Sequence, residues 1–146
     1  MKFNLLYLFL LIIVLASGCL SNKNSAPIPA NIPQGTFTGQ FRRIHTNLKT
    51  GLRDTALANL QLVLNTTNGF KVTGDTSTVH AGSYGQCVLN QSYIQFYDVT
   101  YPTTGTPAKA HLNGVYQYYY DGTVFQMLYN PADTLSLQYD MKKISN

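Results

Sequence analysis

The sequence predicts an all-β domain, built as an eight-stranded antiparallel up-and-down β-barrel. Helical periodicity is nearly absent, and short runs rich in Thr, Val, Tyr and Phe alternate with clusters of Gly, Asn and Asp, which is the pattern of strands and turns. Eight such runs follow one another, mostly with brief connections. Closing this meander into a barrel removes its two exposed edges. A two-sheet β-sandwich is the alternative architecture.

Four strands are predicted in the first half of the folded region, over residues 36–45, 55–64, 70–74 and 81–88. The second of them alternates strictly, with apolar residues on one face at Ala56, Ala58, Leu60, Leu62 and Leu64. Because Ala and Leu also favour helices, a helix is the alternative for this run. The alternation and the hairpin setting favour a strand.

Four more strands are predicted over residues 93–98, 111–120, 123–129 and 134–143. The longest loop separates the first two of these, and Asp121-Gly122 is a strong hairpin signal between the next two. Alternation places Tyr119 on the face opposite Tyr118. A mature chain of this size forms one domain with its own core.

An N-terminal leader precedes the folded region. Lys2 supplies a positive charge, and the apolar run over residues 5–16 has the length of a signal-peptide core, well short of the ~20 residues that span a membrane. The run ends in Leu-Ala-Ser-Gly-Cys, which resembles the bacterial lipobox, with Cys19 as the lipidated first residue of the mature chain. An ordinary secretory signal with an incidental cysteine is the alternative.

The sequence therefore predicts three parts: a lipoprotein signal peptide over 1–18, a lipidated Cys19 with a flexible tether over 19–34, and a barrel domain over 35–146. Two or more acyl chains would hold Cys19 stably on a membrane. Leu20 is not the Asp typical of inner-membrane retention, and no acidic cluster resembling a surface-export signal follows. We expect the periplasmic face of an outer membrane; a Gram-positive cell surface is the alternative.

Composition bears on two features, a nucleic-acid partner and an internal disulfide. Glutamate and tryptophan are absent, and the formal net charge of +4 falls to +3 once Lys2 is removed with the leader. This mildly basic balance predicts no nucleic-acid partner. With Cys19 taken by lipid, Cys87 has no partner within the chain, so no internal disulfide is expected.

Four stretches carry a family resemblance: the lipobox, "GTFTGQFRRI", "GSYGQCVLNQSYIQFYD" and "DTLSLQYDMKKI". In these the chain resembles the small lipocalin-like lipoproteins of Bacteroidota, which have calycin-type β-barrels and no characterised function. The resemblance covers nearly the whole chain and implies the barrel fold. None of the stretches is an active-site motif, so the resemblance transfers no functional residue.

No catalytic, metal or cofactor site is predicted. The three histidines, His45, His80 and His111, lie on different segments without ligand spacing and are expected at the surface or in turns. "AGSYG" lacks the first glycine of a nucleophile elbow and precedes no helix. Cys87 is expected to be a small buried hydrophobe. Asp54, Asp75, Asp121 and Asp133 flank turns, where Asp side chains bind backbone amides.

Two groups of residues are candidates for binding. Arg42 and Arg43 lie in a basic hairpin that would suit anionic lipid head groups or acidic glycans, since guanidinium groups bind phosphate and carboxylate; a solvated hairpin end is the alternative. Tyr93, Tyr97 and Tyr119 are expected on the outer face, where their rings would stack on sugars or a partner. Ordinary strand propensity is the alternative for the tyrosines.

The predicted function is that of a lipid-anchored, non-catalytic envelope protein that binds a small apolar ligand, a glycan or a partner protein. The second candidate is an envelope-stress protein or enzyme inhibitor that acts through its surface, and an enzyme ranks third. A hollow barrel with an open mouth would favour ligand binding inside it. A barrel plugged by Leu, Phe and Tyr would favour a protein that acts through its surface.

Overall fold

The fold is an eight-stranded antiparallel β-barrel, seen in a computed structural model that describes residues 31–65, 67 and 69–145. The strands are β1 (Gly35–Thr46), β2 (Arg53–Asn65), β3 (Gly69–Gly74), β4 (Tyr84–Leu89), β5 (Tyr93–Asp98), β6 (Gly114–Tyr120), β7 (Val124–Ala132) and β8 (Leu135–Ser145). Each pairs with the next, and β8 pairs with β1 to close the barrel. The predicted fold class is confirmed, and both the sandwich and the helix over 55–64 are wrong.

The predicted signal peptide, Cys19 and most of the tether lie outside the described residues. The last four tether residues, 31–34, are described, and Pro33 is buried. No helix in the described part of the chain is long and apolar enough to cross a membrane.

The barrel interior is filled by aromatic side chains. The largest fully buried ones are Phe37, Phe41, Phe96, Tyr116, Phe125 and Tyr139. Their rings pack against one another at tilted or edge-on angles, which aromatic pairs prefer; the centroids of Phe41 and Tyr139 are 4.8 Å apart. Burying one such side chain contributes about 1.5–3 kcal/mol to stability. Among the residues that the structure describes, these rings therefore fill the middle of the barrel.

The barrel has two unlike ends. At the turn end, brief turns join β2 to β3, β4 to β5 and β6 to β7. At the loop end, longer connections over residues 75–83 and 99–113 join β3 to β4 and β5 to β6. Because the number of strands is even, β1 begins and β8 ends at the turn end.

Two predicted strands begin later than the sequence suggests, at Tyr84 instead of residue 81 and at Gly114 instead of residue 111. The residues before them form a different structure, because His80 and Ala110 make a short parallel bridge between the two long loops. The Ala81 N–H donates to the Ala110 carbonyl oxygen at 2.8 Å. Gly114 opens β6 with a φ of 103°, which favours glycine.

Candidate functional site

The outer face of β4, β5 and β6 forms a surface that we call the tyrosine wall. Its outward residues are Tyr84, Gln86, Val88, Tyr93, Gln95, Tyr97, Val115, Gln117 and Tyr119. Its four tyrosines are each about half exposed, from 48% at Tyr93 to 57% at Tyr119. None of the outward side chains on these three strands is charged, since their one acid, Asp98, points inward and is buried.

Strand register places a glutamine beside three of these tyrosines. Tyr97 lies opposite Gln86, Tyr93 lies opposite Gln117, and Tyr119 lies opposite Gln126 of β7. Directly opposed residues have Cβ atoms about 4.5–5.5 Å apart. Each pair therefore combines an apolar ring face with an amide that both donates and accepts hydrogen bonds.

A shallow groove of about 290 Å³ continues the wall across β7 towards β8. Its outward lining residues are Gln117, Tyr119, Gln126, Leu128, Gln138 and Asp140. The only charge among them is compensated, because Asp140 pairs with Arg42 and accepts a hydrogen bond from Gln126 Nε2 at 2.7 Å. The groove therefore combines apolar and amide side chains and is close to neutral.

The structure places the predicted site residues on three different surfaces. Tyr93, Tyr97 and Tyr119 lie on the outside of the barrel, as alternation predicts. Arg42 and Arg43 do not share a charged patch, which corrects the sequence interpretation: Arg42 faces out and pairs with Asp140, whereas Arg43 faces in. The signal was present in the sequence, because the inward phenylalanines at positions 37 and 41 share the parity of position 43.

A second cavity, of about 280 Å³, lies at the loop end between the 99–113 loop and the ends of β1, β7 and β8. We call it the loop-end pocket. Tyr101, Pro107, Tyr129, Pro131, Leu135 and Leu137 supply its apolar lining. Its cationic or ionisable lining residues are Arg43, Lys109 and His111.

An Asp–His pair lies against the loop-end pocket. His111 Nδ1 is 2.8 Å from Asp98 Oδ2, and Thr100 donates to Asp98 Oδ1 from both its backbone N–H and its hydroxyl. Burial alone would raise the pKa of Asp98, but the hydrogen bonds from Thr100 and His111 outweigh it and lower that pKa. His111 lies in the 99–113 loop and is partly buried; the sequence did not predict its pairing with Asp98, 13 positions away.

A second histidine is fully buried below the loop end. His80 Nδ1 donates to the Ala81 carbonyl oxygen, so Nε2 is free to accept the Tyr139 hydroxyl proton at 2.8 Å. Desolvation lowers the pKa of His80 from 6.5 to about 4, so the ring is neutral near pH 7. The expectation of a surface or turn histidine is wrong for His80, which is fully buried. His80 is a structural group that joins the 75–83 loop to the core.

The remaining chemistry-bearing residues give no reactive cluster. Cys87 is buried in the core, as predicted, and desolvation raises the pKa of its thiol. Among the described residues, no three His, Cys or Asp side chains come close enough to hold a metal ion.

Comparisons of the chain with protein-family models, with curated proteins and with solved structures found no match. Functional inference therefore depends on the barrel and on its two candidate surfaces, the tyrosine wall with its groove and the loop-end pocket.

Proposed function

We propose that this protein is a non-catalytic, lipid-anchored lipoprotein of the bacterial cell envelope, of the lipocalin-like kind, that binds a neutral glycan on its tyrosine wall. The observation that carries the proposal is the repeated pairing of an outward tyrosine with a glutamine on a wall without charges. The filled interior supports a surface role, because the aromatic core occupies the space an axial ligand would need.

Sugar chemistry matches this wall. A pyranose ring presents apolar C–H faces and a rim of hydroxyl groups. An exposed tyrosine ring offers a flat apolar surface with a polar tip, and a neighbouring amide donates to one hydroxyl and accepts from the next. The absence of charge on the wall favours a neutral glycan over an acidic one, which would need cations beside the rings.

The anchor belongs to the proposal as well. The lipobox and Cys19 support attachment by lipid, with the periplasmic face of an outer membrane as the expected location. Cys19→Ala should block lipidation and leave an uncleaved precursor without acyl mass, measured by mass spectrometry of the membrane fraction. A mature chain of unchanged mass and unchanged membrane partition would contradict the anchor.

Affinity gel electrophoresis tests the glycan site. The purified mature chain is run through gels that contain either neutral polysaccharides, such as dextran and laminarin, or soluble peptidoglycan fragments. We expect at least one of the neutral polysaccharides to retard the native chain, and retardation by the carboxylate-bearing peptidoglycan fragments alone would contradict a neutral ligand. The double variant Tyr93→Ala/Tyr119→Ala should lose most of that retardation while its free energy of unfolding changes little, because both side chains are exposed.

Val63→Ala is the matched control, since Val63 is 42% exposed on β2, outside the wall. It should be retarded like the native chain. Equal retardation of the tyrosine double variant would contradict the proposal, and so would a native chain that no saccharide retards. Crosslinking of the wall to an envelope protein, with no saccharide bound, would assign it to a protein partner instead.

A further inference from the structure

Arg43 is in an unusual position for a cation. It follows Phe37 and Phe41 on the inward face of β1, at the loop end, and is half-buried. No hydrogen bond or ion pair joins its guanidinium to any described residue. A cation drawn out of water is costly unless it is paired, so a half-buried arginine without a partner indicates a place for an anion.

The other polar groups of the loop-end pocket favour the same charge. Lys109 Nζ donates to the Thr76 carbonyl oxygen at 2.9 Å, which holds the ammonium group in place and leaves two of its donors for a ligand. None of the lining residues is an acid. Asp98, the carboxylate that contacts the lining residue His111, already accepts hydrogen bonds from His111 and Thr100.

The lining and the volume of the pocket indicate the size and polarity of the uncharged part of the ligand. The Tyr101 ring packs edge-on against His111, with centroids 5.4 Å apart, and Tyr129 lines the pocket as well. The volume of about 280 Å³ lies near the lower limit for small-molecule sites. A compact ring fits this space, whereas a long acyl chain would have to enter the filled core.

We infer that the loop-end pocket binds a small organic carboxylate with a ring-sized apolar body, and that Arg43 is the partner of the carboxylate. Arginine suits this role because its planar guanidinium matches a carboxylate with two parallel hydrogen bonds. Lys109 adds a second positive charge. The site is separate from the tyrosine wall, so it does not depend on glycan binding.

Titration of the purified mature chain with benzoate, followed by NMR, tests the inference. Benzoate should shift the ring signals of His111 in the native chain, whereas benzamide, its neutral isostere, and inorganic phosphate, an anion without a ring, should shift them far less. Arg43→Gln should weaken benzoate binding at least about tenfold, since a hydrogen bond to a charged group is lost. The benzoate affinity of Arg43→Lys should lie between that of the native chain and that of Arg43→Gln.

Arg42→Gln is the matched control, because it removes the same charge one position away on the outer face. It should bind benzoate like the native chain. Thermal unfolding shows whether each variant is folded. If a variant does not fold, the comparison of benzoate, benzamide and phosphate on the native chain still tests the inference. The inference is overturned if benzamide or phosphate binds as tightly as benzoate. It is also overturned if Arg42→Gln weakens benzoate binding as much as Arg43→Gln does.

Discussion

The two ends of this barrel are built by different kinds of contact. At the turn end, side-chain hydrogen bonds within each turn hold its shape, and the Tyr118 hydroxyl adds one longer-range bond to the Asn90 carbonyl oxygen at 2.7 Å. Asn90 Oδ1 accepts from the backbone N–H groups of Ser92 and Tyr93 at 2.9 and 2.8 Å, and Asp121 Oδ1 accepts from the residues two and three positions ahead. Each of these turns is specified by the few residues that form it.

The loop end has local hydrogen bonds too, such as those to Asn47 Oδ1, but several of its contacts join distant parts of the chain. His80 and Tyr139 are 59 positions apart, Lys109 and Thr76 are 33 apart, and the Leu112 N–H reaches the Ser83 hydroxyl across 29 positions. The loops at this end therefore take their shape from the barrel beneath them. The end that carries the loop-end pocket is therefore also the end whose geometry depends on distant parts of the chain.

Among these substitutions, Tyr139→Ala should lower the free energy of unfolding most, through the contacts of the loop end. The substitution removes a fully buried ring and leaves His80 without its hydroxyl partner, so we expect a loss of about 3–5 kcal/mol in the free energy of unfolding. Urea unfolding at pH 7 measures it. Tyr139→Phe keeps the ring and should cost only about 1–3 kcal/mol. A loss below about 1 kcal/mol for the alanine variant would show that the core does not depend on this contact.

Acid should loosen the same end through His80. In the unfolded chain His80 takes up a proton as the pH falls through 6.5, whereas in the folded chain it stays neutral until about pH 4. The unfolded state then binds more protons, so the free energy of unfolding should fall by about 3 kcal/mol between pH 6.5 and 4. Asp98, whose pKa is lowered from 3.8, adds its own loss only at lower pH.

His80→Gln is the comparison for this effect, because an amide does not titrate and still donates and accepts hydrogen bonds. The variant should be less stable than the native chain at pH 7 but should lose less stability between pH 6.5 and 4. Urea titrations at a series of pH values measure both slopes. Parallel slopes would assign the acid sensitivity to other groups.

Asn90→Ala should have the smallest of these effects, at the turn end. It removes two local hydrogen bonds from an exposed turn, so we expect a loss of about 1 kcal/mol that does not change between pH 6.5 and 4. Hydrogen exchange should speed up at the amides of Ser92 and Tyr93 only. Asn90→Asp keeps the acceptor oxygen and serves as the control. Faster hydrogen exchange at the loop end in Asn90→Ala would contradict the expectation that this turn is specified locally.

The sequence was sufficient wherever structure follows from neighbouring residues. Strict alternation in β2 predicted a strand, and the Asp121-Gly122 turn predicted the hairpin between β6 and β7; both are confirmed. Alternation also predicted that Tyr118 and Tyr119 lie on opposite faces, which is confirmed, with Tyr119 on the outer one. The period-2 geometry of a strand depends only on the strand itself, so no knowledge of its partners was needed.

The loop end was not predictable in the same way. The buried position of His80 depends on the path of the 75–83 loop and on Tyr139, which is supplied by the last strand. The pairing of His111 with Asp98 likewise depends on how the 99–113 loop returns to the barrel. Arg43 is the exception, since its position in β1 shares the parity of Phe37 and Phe41, and the sequence alone therefore indicates an inward side chain.

The barrel closes only when its first strand pairs with its last. β1 pairs with β8, with Phe37 opposite Lys143, so the first strand keeps an open hydrogen-bonding edge until the last strand has been made. Such distant pairing makes folding slow compared with a helical domain of equal length. A chain truncated before β8 would expose the edges of both β1 and β7, and we expect it to aggregate instead of forming a smaller barrel.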